Sequence, residues 1–307
     1  MDHEDRDPLV GGLTPGITGG VGLDAHAADA WLEACPRHVM GGSLPAGLFE
    51  RFVSLDPDAE TRTWLHDAVA HPHGRWRARL HAMLRRVATD HDVDGWLGTH
   101  PMQVLGPSSF RALLGVGASP HGTLLDVGAG CGDVTASLGA CFESVVATET
   151  SRPMVRRLQA RGFEAYPVDL ASCPLPGPSR VFDAVSLLNV LDRCERPRSL
   201  LHRSLAYLRP EGVVLVACPL PSRPHFDVGG HTVDPDEPLD VRGETFEAAA
   251  ASLVRDVLAP AGLEVVRWTR TPYLARGGPE CPLHVLDDAV VVARRSAGGR
   301  VDTSTPP

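Results

Sequence analysis

Asn189 and Asp192 stand three residues apart in LLNVLDRCERP, residues 187–197, where the apolar run VFDAVS gives way to the helical run SLLHRSLAYL. Residues at the carboxyl end of a strand are where open α/β sheets carry their ligands. A carboxylate there can accept a proton from a nucleophile or orient a ring N–H. An imidazole suits that partner, because its ordinary pKa of about 6.5 leaves much of it neutral near pH 7. A carboxylate that accepts from one ring nitrogen fixes the tautomer and aims the lone pair of the other. In the alternative reading, Asp192 caps the following helix. Cys194 lies beside it, but no paired base is evident that would make it a nucleophile.

A second constellation sits upstream. The apolar strand TLLDV runs into Gly128-Ala129-Gly130-Cys131-Gly132, with Asp126 on the strand itself. Glycines there let backbone approach a ligand closely, and a helix amino-terminus follows, which favours negative charge. Dinucleotide enzymes want G-x-G-x-x-G at this place. The spacing here is G-x-G-x-G after an acid, the form typical of S-adenosylmethionine-dependent methyltransferases. In that reading Asp126 helps hold the amine of the ligand's amino-acid end, directly or through water. Glu149, nineteen residues after Gly130, ends the next strand and can accept both hydroxyls of a ribose; Thr150 follows it as a further candidate contact. Asp169 ends the third strand as a candidate partner for the adenine amino group, or as a turn residue.

These residues need a scaffold. The chain has 307 residues, 43 % hydrophobic and 22 % charged, as in an ordinary globular protein. Its net charge of −9 argues against wrapping nucleic acid by phosphate neutralisation. No run approaches the ~18 apolar residues of a membrane span, and the acidic start has no apolar segment typical of a signal peptide. The seven cysteines are scattered, without a C-x-x-C pair, so neither a structural zinc nor any other metal is expected. Together these features predict a reduced, cytoplasmic protein; a monomer is expected.

Residues 1–24 read as a flexible leader and 296–307 as a disordered tail. Residues 25–118 read as a helical amino-terminal part, with Trp64, Leu65 and Val69, then Trp76, Leu80, Met83, Leu84 and Val87, as core stripes at helical spacing. From residue 119 to 295 strands and helices alternate, which predicts a mainly parallel α/β sheet with helices on both faces. The Pro-, Gly- and Asp-rich stretch 219–243 fits a loop over the site. Tyr273, one of three tyrosines, follows Pro272 at a strand end. Its ring either covers the cofactor or packs in the core.

The segments LLDVGAGCGDVT, ATETS, LLNVLDRCERP, DVGGH, TRTPYL and VLDDAVVV occur in this order. Together, over about residues 96–295, they resemble the methyltransferase-like protein 9 (DREV-type) family of protein-histidine N-pros-methyltransferases. The resemblance implies a Rossmann-like, seven-stranded class I methyltransferase fold. It implies methyl transfer from S-adenosylmethionine, leaving S-adenosylhomocysteine, to the pros nitrogen of histidine in His-x-His motifs of proteins or peptides, where x is small. It places cofactor contacts on Asp126, Gly128, Glu149, Asn189 and Tyr273, beside which Ala129 and Gly130 of the glycine loop are further candidates, and the acid facing the substrate histidine on Asp192, next to Arg193. Two positions depart from the family form. Cys131 replaces an acid, and His284 replaces an aromatic before VLDD, so His284 is either a substrate contact or a buried, satisfied histidine. Asp287 and Asp288 open the last strand, where they bind a target's second histidine or form a solvated turn. A methyltransferase for small molecules and an inactive cofactor-binding scaffold are the competing readings.

Overall fold

The computed structural model describes residues 19–21, 27–84, 86–99, 101–228, 231–277 and 281–296. The amino-terminal part holds strand β1 (Gly19–Val21), helices α1 (Ala28–Ala34), α2 (Ala46–Phe49), α3 (Ala59–Ala70), α4 (Arg75–Leu84) and α5 (Asp90–Leu97), strand β2 (Met102–Gln103) and helix α6 (Pro107–Leu114). The alternating part follows as β3 (Thr123–Val127), α7 (Asp133–Gly139), β4 (Ser144–Glu149), α8 (Arg152–Ala160), β5 (Glu164–Pro167), β6 (Phe182–Leu188), α9 (Pro197–Leu205) and β7 (Leu208–Pro219). A small hairpin, β8 (Phe226–Val228) with β9 (His231–Val233), precedes α10 (Phe246–Ser252), β10 (Leu263–Arg276) and β11 (Leu283–Arg295).

The main sheet runs β2-β10-β11-β7-β6-β3-β4-β5, with β1 added on β11. It is a Rossmann-like α/β sheet. The seven expected strands are all present, and β1 and β2 extend them. Pairing is parallel from β5 through β7; β11 runs against both β7 and β10. β3 and β6 are neighbours from which the strand order runs outward both ways, so their carboxyl ends flank a crevice.

Burial on both faces explains why these strands read as continuous apolar runs. Leu125, Val127, Val185, Leu187, Val214 and Val216 enter one core layer with α9 and α10 residues such as Leu201 and Phe246. Their neighbours Leu124, Ala184, Leu215 and Ala217 enter the opposite layer with Phe110 and Leu113 of α6.

The amino-terminal helices anchor on the carboxyl-terminal hairpin. Leu32, Leu65 and Val69 pack with Leu274, Leu283 and Val285. The Trp268 indole donates to the Leu48 carbonyl at 2.8 Å. α5 starts at Thr89, whose hydroxyl accepts from the Asp92 N–H at 3.1 Å, and crosses α8 where a β-carbon on Gly95 would lie 2.7 Å from Pro153.

The expected second core stripe is only half realised. Leu80 and Leu84 are half-buried, but Trp76, Met83 and Val87 are 63 %, 57 % and 83 % exposed. α4 has the spacing of a packed helix, yet among the described elements it packs chiefly on its neighbour α5, where the His81 ring bonds Asp94 at 2.9 Å. Periodicity gives an apolar stripe; it does not supply a surface to cover it.

Of the expected leader, Gly19–Val21 pair with Leu283–Val285; the rest lies outside the described residues, as does the expected tail beyond Ser296. Among the described residues no helix is long and apolar enough to cross a membrane.

Candidate active site

The glycine loop is shaped by positive φ at Gly128 (72°), Gly130 (56°) and Gly132 (87°). The amides of Gly128 and Ala129 both donate to the Thr148 carbonyl, at 2.9 and 3.0 Å, so the loop is hung on β4. Glu149, at the end of β4, ties it further. One carboxylate oxygen accepts from the Gly130 N–H at 3.0 Å, and the other from the Ser151 N–H at 2.9 Å and the Thr150 hydroxyl at 3.1 Å.

Asp126 is buried, and both its oxygens are engaged, by the Thr135 hydroxyl at 2.6 Å and the Ser186 hydroxyl at 2.6 Å. Burial raises its carboxyl from 3.8 to about 6, opposed by the two hydroxyls and helped by the charge of Glu149. The folded chain therefore holds this proton more tightly than the unfolded chain does. Relative to Asp126→Asn, wild-type stability is expected to fall as pH rises from about 4 to 6 and then level off, by about 3 kcal/mol. Urea unfolding of both proteins at a series of pH values measures this; a difference that stays constant from pH 4 to 7 contradicts it.

These residues open on a cavity of about 500 Å³. Asp126, Gly128, Ala129, Gly130, Glu149, Thr150, Asp169, Asn189, Arg193 and Tyr273, ten of the residues singled out in the sequence, line it. Asp169 holds its own turn as well: its carboxylate accepts from the Ala171 N–H at 2.8 Å and the Ser172 hydroxyl at 2.5 Å. The Tyr273 hydroxyl donates to the Met102 sulfur, and burial raises its pKa.

Residues outside the motifs complete the lining. The amino-terminal segment supplies Thr89, His91, Asp92, Met102 and Val104, and the 219–243 stretch supplies Phe226. Asp92 accepts from the Ser151 hydroxyl at 2.7 Å, which joins α5 to the start of α8. The Thr89-x-x-Asp92 spacing marks a helix start in the sequence, but nothing in it says where that helix points.

Asp192 is buried beside the cavity rather than in its lining. It occupies a single turn of 3₁₀ helix, Leu191–Arg193. One carboxylate oxygen accepts from the Arg193 Nε–H at 3.0 Å, and the other is buried with no partner. Burial pushes its carboxyl up, and Arg193 opposes the shift. The His225 N–H donates to its carbonyl at 2.9 Å, so the 219–243 stretch does reach this end of the site. Asn189, in left-handed conformation at φ 56°, donates from its side-chain amide to Asp288 at 2.7 Å.

Asp287 and His284 are not brought to the cavity. Successive strand residues face opposite ways, and the Asp287 carboxylate is gripped by Arg270, with the Nη2 contact at 2.6 Å, on the side of Glu247 and Phe246. His284 is half-buried farther along β11, opposite Ala275. The residue of the pair that meets Asn189 is Asp288. Alternation alone requires that only one of two adjacent acids can face the site, but it does not say which. Burial raises the Cys194 and Cys131 thiols to about 12, so neither presents a thiolate nucleophile near neutral pH.

Solved structures resemble part of the chain. A 1,6-didemethyltoxoflavin-N1-methyltransferase from Burkholderia thailandensis, solved with bound 1,6-didemethyltoxoflavin and S-adenosylhomocysteine, is 20 % identical, covers 62 % of this chain and 76 % of its own, and has a TM-score of 0.40. The N-methyltransferase NodS from Bradyrhizobium japonicum WM9, solved with S-adenosylhomocysteine, is 15 % identical, with coverages of 62 % and 85 % and a TM-score of 0.40. A family model described as DREV methyltransferase matches residues 38–295, so it takes in most of the amino-terminal helices as well as the sheet. The chain belongs to the DREV methyltransferase family.

Proposed function

We propose that this methyltransferase uses S-adenosylmethionine to methylate the pros nitrogen, Nδ1, of histidine in His-x-His motifs of proteins or peptides, where x is small. The observation that carries the reading is Asp192: a buried carboxylate beside the cavity, with one oxygen on Arg193 and the other with no donor. A buried acceptor left unpaired is costly. An imidazole N–H is a donor of the right kind, and it brings a nucleophilic lone pair on the opposite nitrogen.

The residues present fit the cofactor. The loop's first glycine is required twice, by φ 72° and because a β-carbon would meet Val190 at 2.6 Å. The cavity has the volume of a nucleoside-sized site. Asn189 lines it, and the oxygen of its side-chain amide is buried with no partner. In this reading Glu149 takes the ribose hydroxyls, Asp169 and its turn lie toward the base, and Asn189 and Tyr273 lie toward the amino-acid end. When bound, the cofactor supplies an electrophilic methyl group on a positively charged sulfur.

The chain's own residues do the rest. Asp192 accepts the Nε2–H of the substrate imidazole, which leaves the Nδ1 lone pair free and fixes the direction of the ring. Methylation makes the ring a cation and acidifies that N–H, and the Asp192 carboxylate takes up the proton. Burial raises its proton affinity, which favours that transfer. Tyr273 and Met102, bonded to each other, form one wall of the cavity.

The test is incubation with S-adenosylmethionine and a Gly-His-Ala-His-Gly peptide, beside a peptide with both histidines replaced by Ala, read by tandem mass spectrometry and isomer-resolved chromatography. Methyl on imidazole Nδ1 is the expected product. Cofactor binding without methyl on any histidine peptide overturns the histidine assignment and favours a small-molecule acceptor.

A further inference from the structure

Asp288, on β11, is fully buried between Pro219 of β7 and Thr271 of β10. A carboxylate in such a place needs a cation, donors on both oxygens, or a proton. It has one donor: the Asn189 amide at 2.7 Å, on Oδ2. Its Oδ1 is buried without a partner. The charged groups around it are Asp192, Asp287 and Arg193. Two are like charges, and Arg193 is already bonded to Asp192 at 3.0 Å. The uncharged groups Tyr273 on β10 and Cys218 on β7 also feel its charge. Nothing in this shell neutralises Asp288.

Asn189 is the other half of the pair. Its main-chain N–H donates to the Ala217 carbonyl at 3.0 Å, and its φ of 56° sets the backbone. What remains free is the direction of the side-chain amide, which has a donor end and an acceptor end. An ionised carboxylate at 288 admits only the NH₂ end. The oxygen end is then the one left over, and it is the buried, unpartnered Oδ1 of a cavity-lining residue. A neutral group at 288 accepts either end and lets the amide turn over.

We propose that Asp288 is a positioning residue: it holds the Asn189 amide by its NH₂ end so that the cavity is offered an acceptor oxygen, aimed at the cationic amino-acid end of the methyl donor. This rests on the cofactor reading above. It also gives the uncompensated carboxylate its counter-charge, since the donor brings a sulfonium and an ammonium to this end of the cavity. Burial and the Asp192 charge raise the Asp288 carboxyl well above its ordinary value, so ligand binding is coupled to loss of its proton.

The test is calorimetric binding of S-adenosylmethionine and S-adenosylhomocysteine to wild type, Asp288→Asn and the exchanged pair Asn189→Asp/Asp288→Asn, at a series of pH values, with thermal unfolding of each ligand-free protein. Asp288→Asn is expected to fold, to bind both ligands about tenfold or more weakly, and to tighten less with pH than wild type does, the titrations of Asp126 and Asp192 being common to both proteins. The ligands' own titrations are common to all the proteins and cancel. The exchanged pair rebuilds an anchored acceptor, with the new amide on β11 donating to the new carboxylate at the end of β6, and is expected to recover at least half of the lost binding free energy. Asp288→Asn binding like wild type at every pH overturns the proposal, and so does an exchanged pair no better than the single variant. Wild type that binds neither ligand overturns the cofactor reading itself, and the proposal with it.

Discussion

Asp192→Asn is expected to lower kcat on a His-x-His peptide by about 10²–10⁴-fold and to leave the affinity for S-adenosylmethionine within about threefold. Two structural facts separate these effects. Asp192 lies outside the cavity lining while Arg193 lies in it, so the cofactor seat keeps its walls. The free oxygen of Asp192 is the acceptor assigned to the substrate imidazole, and an amide there cannot take a proton at the end of the reaction. The substitution is nearly isosteric and removes a buried charge held by one hydrogen bond, so folding should survive, as thermal unfolding would show. In wild type, kcat should fall as pH drops through the raised pKa of Asp192, because the carboxylate is the active form. A variant that keeps a tenth or more of the wild-type kcat would remove Asp192 from the reaction.

Gly128→Ala is expected to abolish measurable cofactor binding, a loss of more than about 100-fold, and to lower the melting temperature. Left-handed backbone costs a residue with a β-carbon about 1–2 kcal/mol. The new carbon would also lie 2.6 Å from a methyl of Val190 and 3.0 Å from its β-carbon. That overpacking adds about 1–3 kcal/mol. Relief requires the loop to shift, and a shift breaks the twin hydrogen bonds of Gly128 and Ala129 to Thr148. Gly162→Ala is the control: its φ is 90°, but nothing lies within 4 Å of the added carbon. It should show the strain and not the collapse of binding. Adding Val190→Ala to Gly128→Ala should recover part of the stability. Isothermal titration and calorimetric unfolding read both quantities, and full cofactor affinity in Gly128→Ala would refute the account.

The sheet was legible in the sequence because β3, β4, β6 and β7 are covered on both sides and so print as unbroken apolar runs. Asp126, the glycines and Glu149 were legible because their spacing is tied to a strand end. The rest depends on which surfaces meet, and periodicity does not encode that. The α4 stripe has the spacing of a core helix and leaves Trp76 exposed. Asp287 and Asp288 are the same residue type at adjacent positions, and only the direction of the pleat sends one to Arg270 and the other to Asn189. Thr89, Asp92 and Met102 reach the cavity through folding-back of the amino-terminal part, a long-range event with no local signature. Gly19–Val21, read as leader, gain their pairing from an edge of β11 that only the assembled sheet presents.

The order in which the polypeptide is made now matters. α1 and α3 leave the ribosome well before the surface that covers their apolar faces: Leu274, Leu283 and Val285 emerge about 200 residues later. At roughly 5–20 residues per second, Leu32, Leu65 and Val69 wait about 10–40 s for their cover. β10 and β11 are translated after the other strands of this sheet, yet they lie inside it between β7 and β2. The nascent chain thus carries an unclosed sheet and greasy helices together until the β10–β11 hairpin arrives. Its yield in the cell should depend on holding factors acting during that interval, and chains cut short before residue 263 should be cleared rather than accumulate as partial enzymes.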